Sequence, residues 1–178
     1  MVSHPLILDA CALLNVFASG RFHDILATLD GLAHVGERAR AEAQWIRAAE
    51  GEARRPVDVS EAIAGGLLFV ERLSASERAT FAEMAVAVDD GEAEAAAIAL
   101  GRGWLLATDD RKAMRVLSAG WPRLRVLSTP ELMKRWQTAA GISNAEMAAI
   151  LRAVSYRASF APRRDDPQRE WWLDLMER

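Results

Sequence analysis

The chain has 178 residues and a mass of 19.6 kDa, which is enough for one domain with its own apolar core. Just over half of the residues are apolar and a quarter are charged, and this composition excludes a disordered chain. The sequence has no apolar run long enough for a membrane span and no secretory signal at residues 1–5, so we expect a cytoplasmic protein with no membrane partner. The single cysteine, Cys11, excludes an internal disulfide and suits a reducing compartment.

The net charge of −3 is unevenly distributed along the chain. Residues 1–110 carry nine Lys/Arg against eighteen Asp/Glu, a net charge of −9, whereas residues 111–178 carry thirteen against seven, a net charge of +6. An acidic site beside a basic surface would suit an enzyme that binds a polyanion and cuts it with a metal ion. Solvated helix faces would explain the same charges equally well.

Short apolar runs alternate with segments of helical spacing through the first two thirds of the chain. The first run, residues 5–9, has no polar alternation, as a buried parallel strand requires. In chain order the predicted strands are residues 5–9, 32–35, 67–73, 104–108 and 124–128. The predicted helices between them are residues 10–19, 22–30, 37–50, 60–64, 75–88, 90–101 and 110–119. This alternation predicts βαβ units around a parallel sheet.

From Thr129 the pattern becomes entirely helical, with Pro130 at a helix start and Gly141 at a helix end. Helices are predicted at residues 129–140, 143–156 and 170–176, with an irregular connector at 159–168. We therefore expect a three-layer α/β domain over residues 1–128 and a helical C-terminal extension over residues 129–178. Among the tryptophans, Trp45 and Trp104 are expected in the core. Candidates for a contact surface in the extension are Trp136, Trp171 and Trp172.

Acidic residues stand at the ends of separate apolar runs. Asp9 ends the first run, and Asp109 and Asp110 end the run that begins about a hundred residues later. Between them lie Glu42, on a predicted helix, and Glu94, in an alanine-rich segment. Ligands of open α/β sheets bind outside the carboxyl ends of the strands, where the strand order reverses. Acids gathered there repel one another unless a cation or a shared proton lies between them, so the pattern predicts a divalent-metal site.

Four segments resemble the motifs of PIN-domain nucleases. Residues 6–15 (LILDACALLN) are similar to the opening motif, in which the first metal-binding acid ends strand one. Residues 36–42 (GERARAE) resemble the second motif and place its acid on Glu42. Residues 91–100 (GEAEAAAIAL) resemble the third and place its acid on Glu94. Residues 105–112 (LLATDDRK) resemble the fourth, whose acid falls on Asp110, with Asp109 as an alternative.

The resemblance implies a Mg²⁺ or Mn²⁺ site for phosphate chemistry. We expect Asp9 and Asp110, or Asp109 in its place, to bind the ion directly, and Glu94 to bind it directly or through water. Glu42 would orient or deprotonate the attacking water. Candidate hydrogen-bond partners of these ligands are Asn15 and Thr108. Each acid taken alone has a simpler interpretation, since Asp commonly caps helices and Glu commonly lies on solvated helix faces.

The leading interpretation is a metal-dependent endoribonuclease that hydrolyses RNA with a metal-activated water. The resemblance extends to VapC-like toxins of type II toxin–antitoxin pairs, and it implies a homodimer and a cognate antitoxin protein. A PIN nuclease in housekeeping RNA processing is an alternative. A second alternative, of a different class, is a non-catalytic α/β protein-binding module whose acids only cap helices.

Overall fold

The structure is a computed structural model that describes residues 4–29, 33–48 and 54–177. Its main sheet has five parallel strands in the order β5-β2-β1-β6-β7, and β3 and β4 form a separate antiparallel pair. The strands are β1 Leu6–Leu8, β2 Ala33–Gly36, β3 Trp45–Ile46, β4 Arg55–Pro56, β5 Phe69–Glu71, β6 Leu105–Ala107 and β7 Arg125–Leu127. The helices are α1 Ala10–Ala18, α2 Phe22–Ala27, α3 Glu37–Glu42, α4 Ser60–Ala64, α5 Ala75–Met84, α6 Asp90–Arg102, α7 Arg111–Gly120, α8 Thr129–Ala140, α9 Asn144–Arg157 and α10 Arg169–Glu177.

Helices cover both faces of the sheet. The central strand β1 is fully buried, as its unbroken apolar run predicts. Leu6 and Leu8 point into one core, which contains residues of α1, α2 and α8 to α10, and Ile7 points into a second core with residues of α5 to α7. The predicted three-layer α/β class, with a helical C-terminal extension, is thus confirmed.

The C-terminal helices complete the first of these two cores. Trp136 and Trp172 are buried in it, so the expectation that these two residues form a contact surface was wrong. Trp172 is fully enclosed, and its ring centroid lies 5.3 Å from that of Phe160 in an edge-to-face arrangement. Helices α9 and α10 therefore contribute to the core that supports β1. The boundary proposed at Ser128 coincides with the N-cap of α8.

The predicted helix over residues 37–50 was too long. Helix α3 ends at Glu42, because Ala43 leaves the helical conformation (φ −75°, ψ 70°) and the next residues form β3. β3 pairs with β4 in an antiparallel hairpin, and Trp45 on β3 is 50% exposed, contrary to the core position expected for it. Some predicted positions lie outside the described residues. They are the predicted helix ends at Asp30 and Glu50, the predicted strand start at Leu32, and the predicted loop residues 51–53.

In the described part of the chain, no helix is both long enough and apolar enough to cross a lipid bilayer. Several predicted helix ends are present in the structure. Ser74 and Glu77 form the capping box at the start of α5, and Gly103 and Gly141 take left-handed conformations (φ 69° and 67°) at the ends of α6 and α8. These caps mark where α5 begins and where α6 and α8 end.

Candidate functional site

Two neighbouring strands deliver acids to the same edge of the sheet. β1 is followed by Asp9 and β6 by Thr108, Asp109 and Asp110. Leu8 pairs in parallel register with Ala107, and the backbone N–H of Asp9 donates to the carbonyl of Ala107 at 3.0 Å. The chain continues from β1 toward β2 on one side and later adds β6 on the other side, so the strand order reverses between β1 and β6. Such a reversal is where open α/β sheets bind ligands.

Asp9 is buried, with 1% of its surface exposed. Its Oδ1 accepts a hydrogen bond from the backbone N–H of Ala12 at 2.7 Å and so caps α1. Its Oδ2 is buried and has no hydrogen-bond partner among the described residues. Burial raises the pKa of Asp9 to about 7; the Ala12 N–H and the nearby Thr108 hydroxyl offset part of this rise, whereas Asp109 and Glu92 add to it. Asp9 therefore offers one unshared carboxylate oxygen at the reversal point.

The structure separates the roles of Asp109 and Asp110. Asp109 is held by the protein: its Oδ2 accepts from Asn15 Nδ2 at 3.0 Å, its Oδ1 accepts from the Thr129 N–H at 2.9 Å, and the Thr129 hydroxyl also donates to Oδ2. Burial raises the pKa of Asp109 despite these bonds. Asn15 thus contacts a candidate ligand, as expected.

Asp110 caps α7, because its Oδ1 accepts from the Ala113 N–H at 2.7 Å. The charge of Asp110 helps to raise the pKa of Glu92. The capping interpretation of Asp9 and Asp110 is therefore correct for both residues. Capping uses only one oxygen of each carboxylate and leaves the other available.

Glu92 belongs to this group of acids, and our sequence interpretation passed over it. Burial is the main cause of its raised pKa, and the charge of Asp110 follows. Its Oε2 accepts from the backbone N–H of Asp89 at 3.2 Å in a capping box at the start of α6. The Asp-x-x-Glu spacing of that box was the available sequence signal, since it fixes Glu92 at the third position of the helix.

Glu94 has a different environment. It is buried, and its two carboxylate oxygens accept from the backbone N–H and the guanidinium of Arg38 at 2.8 and 3.1 Å. Because residues two apart on a helix point to nearly opposite sides, Glu92 and Glu94 cannot both face Asp9. The structure therefore brings Glu94 to Arg38 on α3, where it attaches α3 to α6.

Glu42 lies at the end of α3 and is exposed, and its carboxylate rests against Gly91 at the start of α6. A Cβ atom at Gly91 would lie 2.6 Å from Glu42 Oε2, so the close approach needs glycine. Partial burial raises the pKa of Glu42, the charges of Asp89, Glu94 and Asp90 add to the rise, and Arg38 offsets part of it.

The acids thus form two groups around the first turn of α6. One group contains Asp9, Glu92, Asp109 and Asp110, and the other contains Glu42, Glu94, Asp89 and Asp90. Over residues 4–29, 33–48 and 54–177, no group of three or more Asp, Glu, His or Cys side chains lies close enough together to hold a metal ion. The first group offers carboxylate oxygens that are not all committed to the protein, which is what an oxygen-seeking divalent cation binds.

Gly36→Ala is expected to lower the free energy of unfolding by about 2 kcal/mol. A Cβ at position 36 would lie 2.3 Å from Glu94 Oε2 and 3.0 Å from its Cδ, so the side chain must leave its hydrogen bonds to Arg38. Urea denaturation measures the change. Gly120→Ala is the control, because nothing lies within 4 Å of a Cβ there. Equal stability of the two variants would contradict the close packing of α3 on α6.

The stability of the chelator-treated protein is expected to depend on pH through Asp9. In the folded protein the Asp9 carboxyl keeps its proton up to about pH 7. In the unfolded chain the same carboxyl loses its proton near pH 3.8. Between these values unfolding releases a proton, so stability falls as pH rises, by at most about 1.4 kcal/mol per pH unit. Because the lowered pKa of His34 acts in the opposite direction, the quantity to measure is the difference between wild type and Asp9→Asn.

That difference should be near zero at pH 4 and should favour Asp9→Asn increasingly up to pH 8. Denaturation curves at several pH values provide the test. A constant difference across this range would show that Asp9 titrates normally in the folded protein.

In comparisons with protein-family models, curated proteins and solved structures, no match to the chain was found.

Proposed function

We propose that the chain is a metal-dependent endoribonuclease of the PIN-domain family, in which Asp9, Glu92 and Asp110 hold a Mg²⁺ or Mn²⁺ ion. One observation carries the proposal: a buried and unpartnered Asp9 oxygen lies at the strand reversal, beside the acids that follow β6. A buried polar atom without a partner is costly, and sites of function are where proteins tolerate that cost. The four segments that resemble PIN motifs support the same assignment.

The chemistry of the acids fits such an ion. Mg²⁺ and Mn²⁺ prefer oxygen ligands, and Mg²⁺ retains several waters while using only one or two carboxylates. When bound, the ion would neutralise phosphate charge and lower the pKa of a water molecule. Asn15 and Thr129 hold Asp109 in place, and this fixes the start of α7 and therefore Asp110. Asp109 is a positioning residue in this proposal.

Glu42 is the candidate base in the proposed reaction. A general base works best when its pKa lies near the operating pH, and partial burial together with the surrounding carboxylates raises the pKa of Glu42 in that direction. Gly91 lets the Glu42 side chain approach the first turn of α6, three residues before Glu94 and next to Glu92. Glu94 acts indirectly, because its bonds to Arg38 hold the helix that carries Glu42.

The experiment is cleavage of RNA by the purified chain with Mn²⁺ and with a chelator. We expect cleavage only with the ion. Glu92→Gln should lose cleavage without losing stability, whereas Glu94→Gln should lose stability because the ion pair between the buried Glu94 carboxylate and Arg38 is lost. Asp174→Asn, an exposed acid on α10, is the matched control and should cleave normally. Cleavage that survives the chelator, or survives Glu92→Gln, would reject the assigned site.

The toxin role is part of the same proposal and depends on the resemblance to VapC-like proteins. It predicts growth arrest on expression, relief of that arrest by a cognate antitoxin protein, and a homodimer in solution. Growth arrest that Asp9→Asn removes would support a toxin. Cleavage of RNA in vitro with no effect on growth would favour a role in RNA processing instead.

A non-catalytic α/β protein-binding module is the second candidate, and a specific observation favours it. Asp9 and Asp110 both cap helices, and Asp109 is satisfied by Asn15 and Thr129, so each acid has a structural role without an ion. This candidate predicts neither metal binding nor cleavage by the wild-type chain.

A further inference from the structure

The hairpin of β3 and β4 presents an exposed tryptophan close in sequence to Glu42. Glu42 and the acids that follow β1 and β6 are together called the acidic edge below. Trp45 is 50% exposed, an unusual position for the largest apolar side chain, and it follows Glu42 by three residues. The backbone N–H of Gln44 donates to the carbonyl of Glu42 at 2.8 Å, so the turn between α3 and β3 is tight. Trp45 is therefore held near Glu42 by the chain itself.

Trp45 is the wall between two surface grooves. The first has a volume of about 500 Å³, and residues that line it include Leu13, Arg40, Gln44, Trp45, Asp58 and Ser60. Ala41 and Ala43, the sequence neighbours of Glu42, also line this groove, as does Glu37. It combines an aromatic wall with hydrogen-bond donors and acceptors.

The second groove has a volume of about 310 Å³ and a different character. Residues that line it include Leu14, Trp45, Arg47, Arg54, Arg157 and Ser159. Three of its described lining residues are arginines and none is acidic. Guanidinium groups in a fixed concave surface suit phosphate groups, which they can bind with two parallel hydrogen bonds.

We propose that these two grooves bind the single-stranded RNA substrate beside the acidic edge, with a base stacked on Trp45 and the backbone phosphates in the arginine groove. The inference rests on the proposed nuclease function for its substrate. An exposed aromatic ring next to a positively charged groove is how proteins bind single-stranded nucleic acid without strong sequence preference. The polar first groove would contact the edges of the stacked base.

The C-terminal extension builds part of this surface. Arg157 ends α9, and its carbonyl accepts from the backbone N–H of Arg47 at 2.8 Å, which attaches the hairpin to α9. Its guanidinium also donates to the carbonyl of Ala18 at 3.2 Å and so links α9 to the end of α1. The extension therefore has a role in substrate binding besides its role in the core.

The test is binding of fluorescein-labelled oligouridylate and oligoadenylate, followed by anisotropy in a chelator so that no cleavage occurs. Trp45→Ala should weaken binding by about 5- to 100-fold, the usual contribution of one stacked base, and Trp45→Phe should restore most of it. Arg47→Gln and Arg54→Gln should each reduce the slope of log Kd against log salt concentration by about 0.7.

Two matched variants serve as controls. Phe69→Ala removes another exposed aromatic ring, on β5, and Arg78→Gln removes an exposed arginine on α5. Both should bind RNA like the wild type. With Mn²⁺, Trp45→Ala should raise KM more than it lowers the rate at saturating RNA, because Trp45 is assigned to RNA binding and not to the chemical step.

The inference and the nuclease proposal can fail separately. If Trp45→Ala and the arginine variants bind RNA as the controls do, the surface is not the RNA site, even when the wild type cleaves RNA. If these variants instead change the mass of the protein in solution and leave RNA binding unchanged, the surface is a protein interface and the inference is overturned. If they lose RNA binding while the wild type shows no Mn²⁺-dependent cleavage, the assignment of the two grooves as an RNA-binding surface is supported and the nuclease proposal is rejected.

Discussion

Asp9→Asn is expected to reduce Mn²⁺-dependent RNA cleavage by at least about 100-fold, since even the residues that orient metal ligands commonly contribute 10- to 100-fold. The substitution keeps the Oδ1 that accepts from Ala12 and so preserves the cap of α1. It replaces the buried, unpartnered Oδ2 by an amide NH₂ group that cannot bind a cation. The loss should therefore be one of chemistry and not of folding.

Initial rates of cleavage measure this effect, and thermal unfolding in a chelator at pH 8 measures the folding of the same variant. We expect Asp9→Asn to be at least as stable as the wild type there, because it removes a buried charge. A variant that cleaves RNA at a rate close to the wild type would exclude Asp9 from the site.

Trp172→Ala is expected to lower the free energy of unfolding by about 3–5 kcal/mol, the usual cost of removing a buried tryptophan. The side chain is fully enclosed, meets Phe160 at a ring distance of 5.3 Å, and belongs to the same core as Leu6 and Leu8 of β1. Its Nε1 has no hydrogen-bond partner in the described part of the chain, so the cost is one of packing alone.

Urea denaturation of Trp172→Ala and Trp45→Ala provides a matched comparison of a buried with an exposed tryptophan. Trp45→Ala should change stability much less, since half of its side-chain surface already contacts solvent. A small effect of Trp172→Ala would mean that α10 does not form part of the core in solution.

The central sheet was predictable because its physical signal is local. Residues 5–9 and 104–108 are short apolar runs bounded by helix-capping acids, and each contains a buried strand, β1 or β6. The position of Asp9 and of Asp109 and Asp110 at the carboxyl ends of adjacent strands followed from the same runs. Parallel pairing then brought them to one edge.

The acids on helices were harder to place, because their direction depends on tertiary packing. Glu92 and Glu94 are separated by one residue, and only the contact of Glu94 with Arg38 shows which of them faces α3. The sequence interpretation chose Glu94 by motif register, and the capping-box spacing of Glu92 was the cue that it did not use.

The hairpin after α3 was missed for a related reason. Residues 37–46 contain helix-forming alanine, arginine and glutamate, so local propensity favours a longer helix. The chain instead leaves the helix at Ala43, and Trp45–Ile46 pairs with Arg55–Pro56 while Arg47 bonds to α9. Long-range strand pairing of this kind overrides helix propensity. It cannot be recognised from the few residues around a position in the sequence.

The most direct test of the account is Mn²⁺ binding to the metal-free chain, measured by isothermal titration calorimetry for the wild type, Asp9→Asn and Asp174→Asn. The account predicts that the wild type and Asp174→Asn bind the ion and that Asp9→Asn does not. Absence of binding by the wild type, or equal binding by Asp9→Asn, would contradict it.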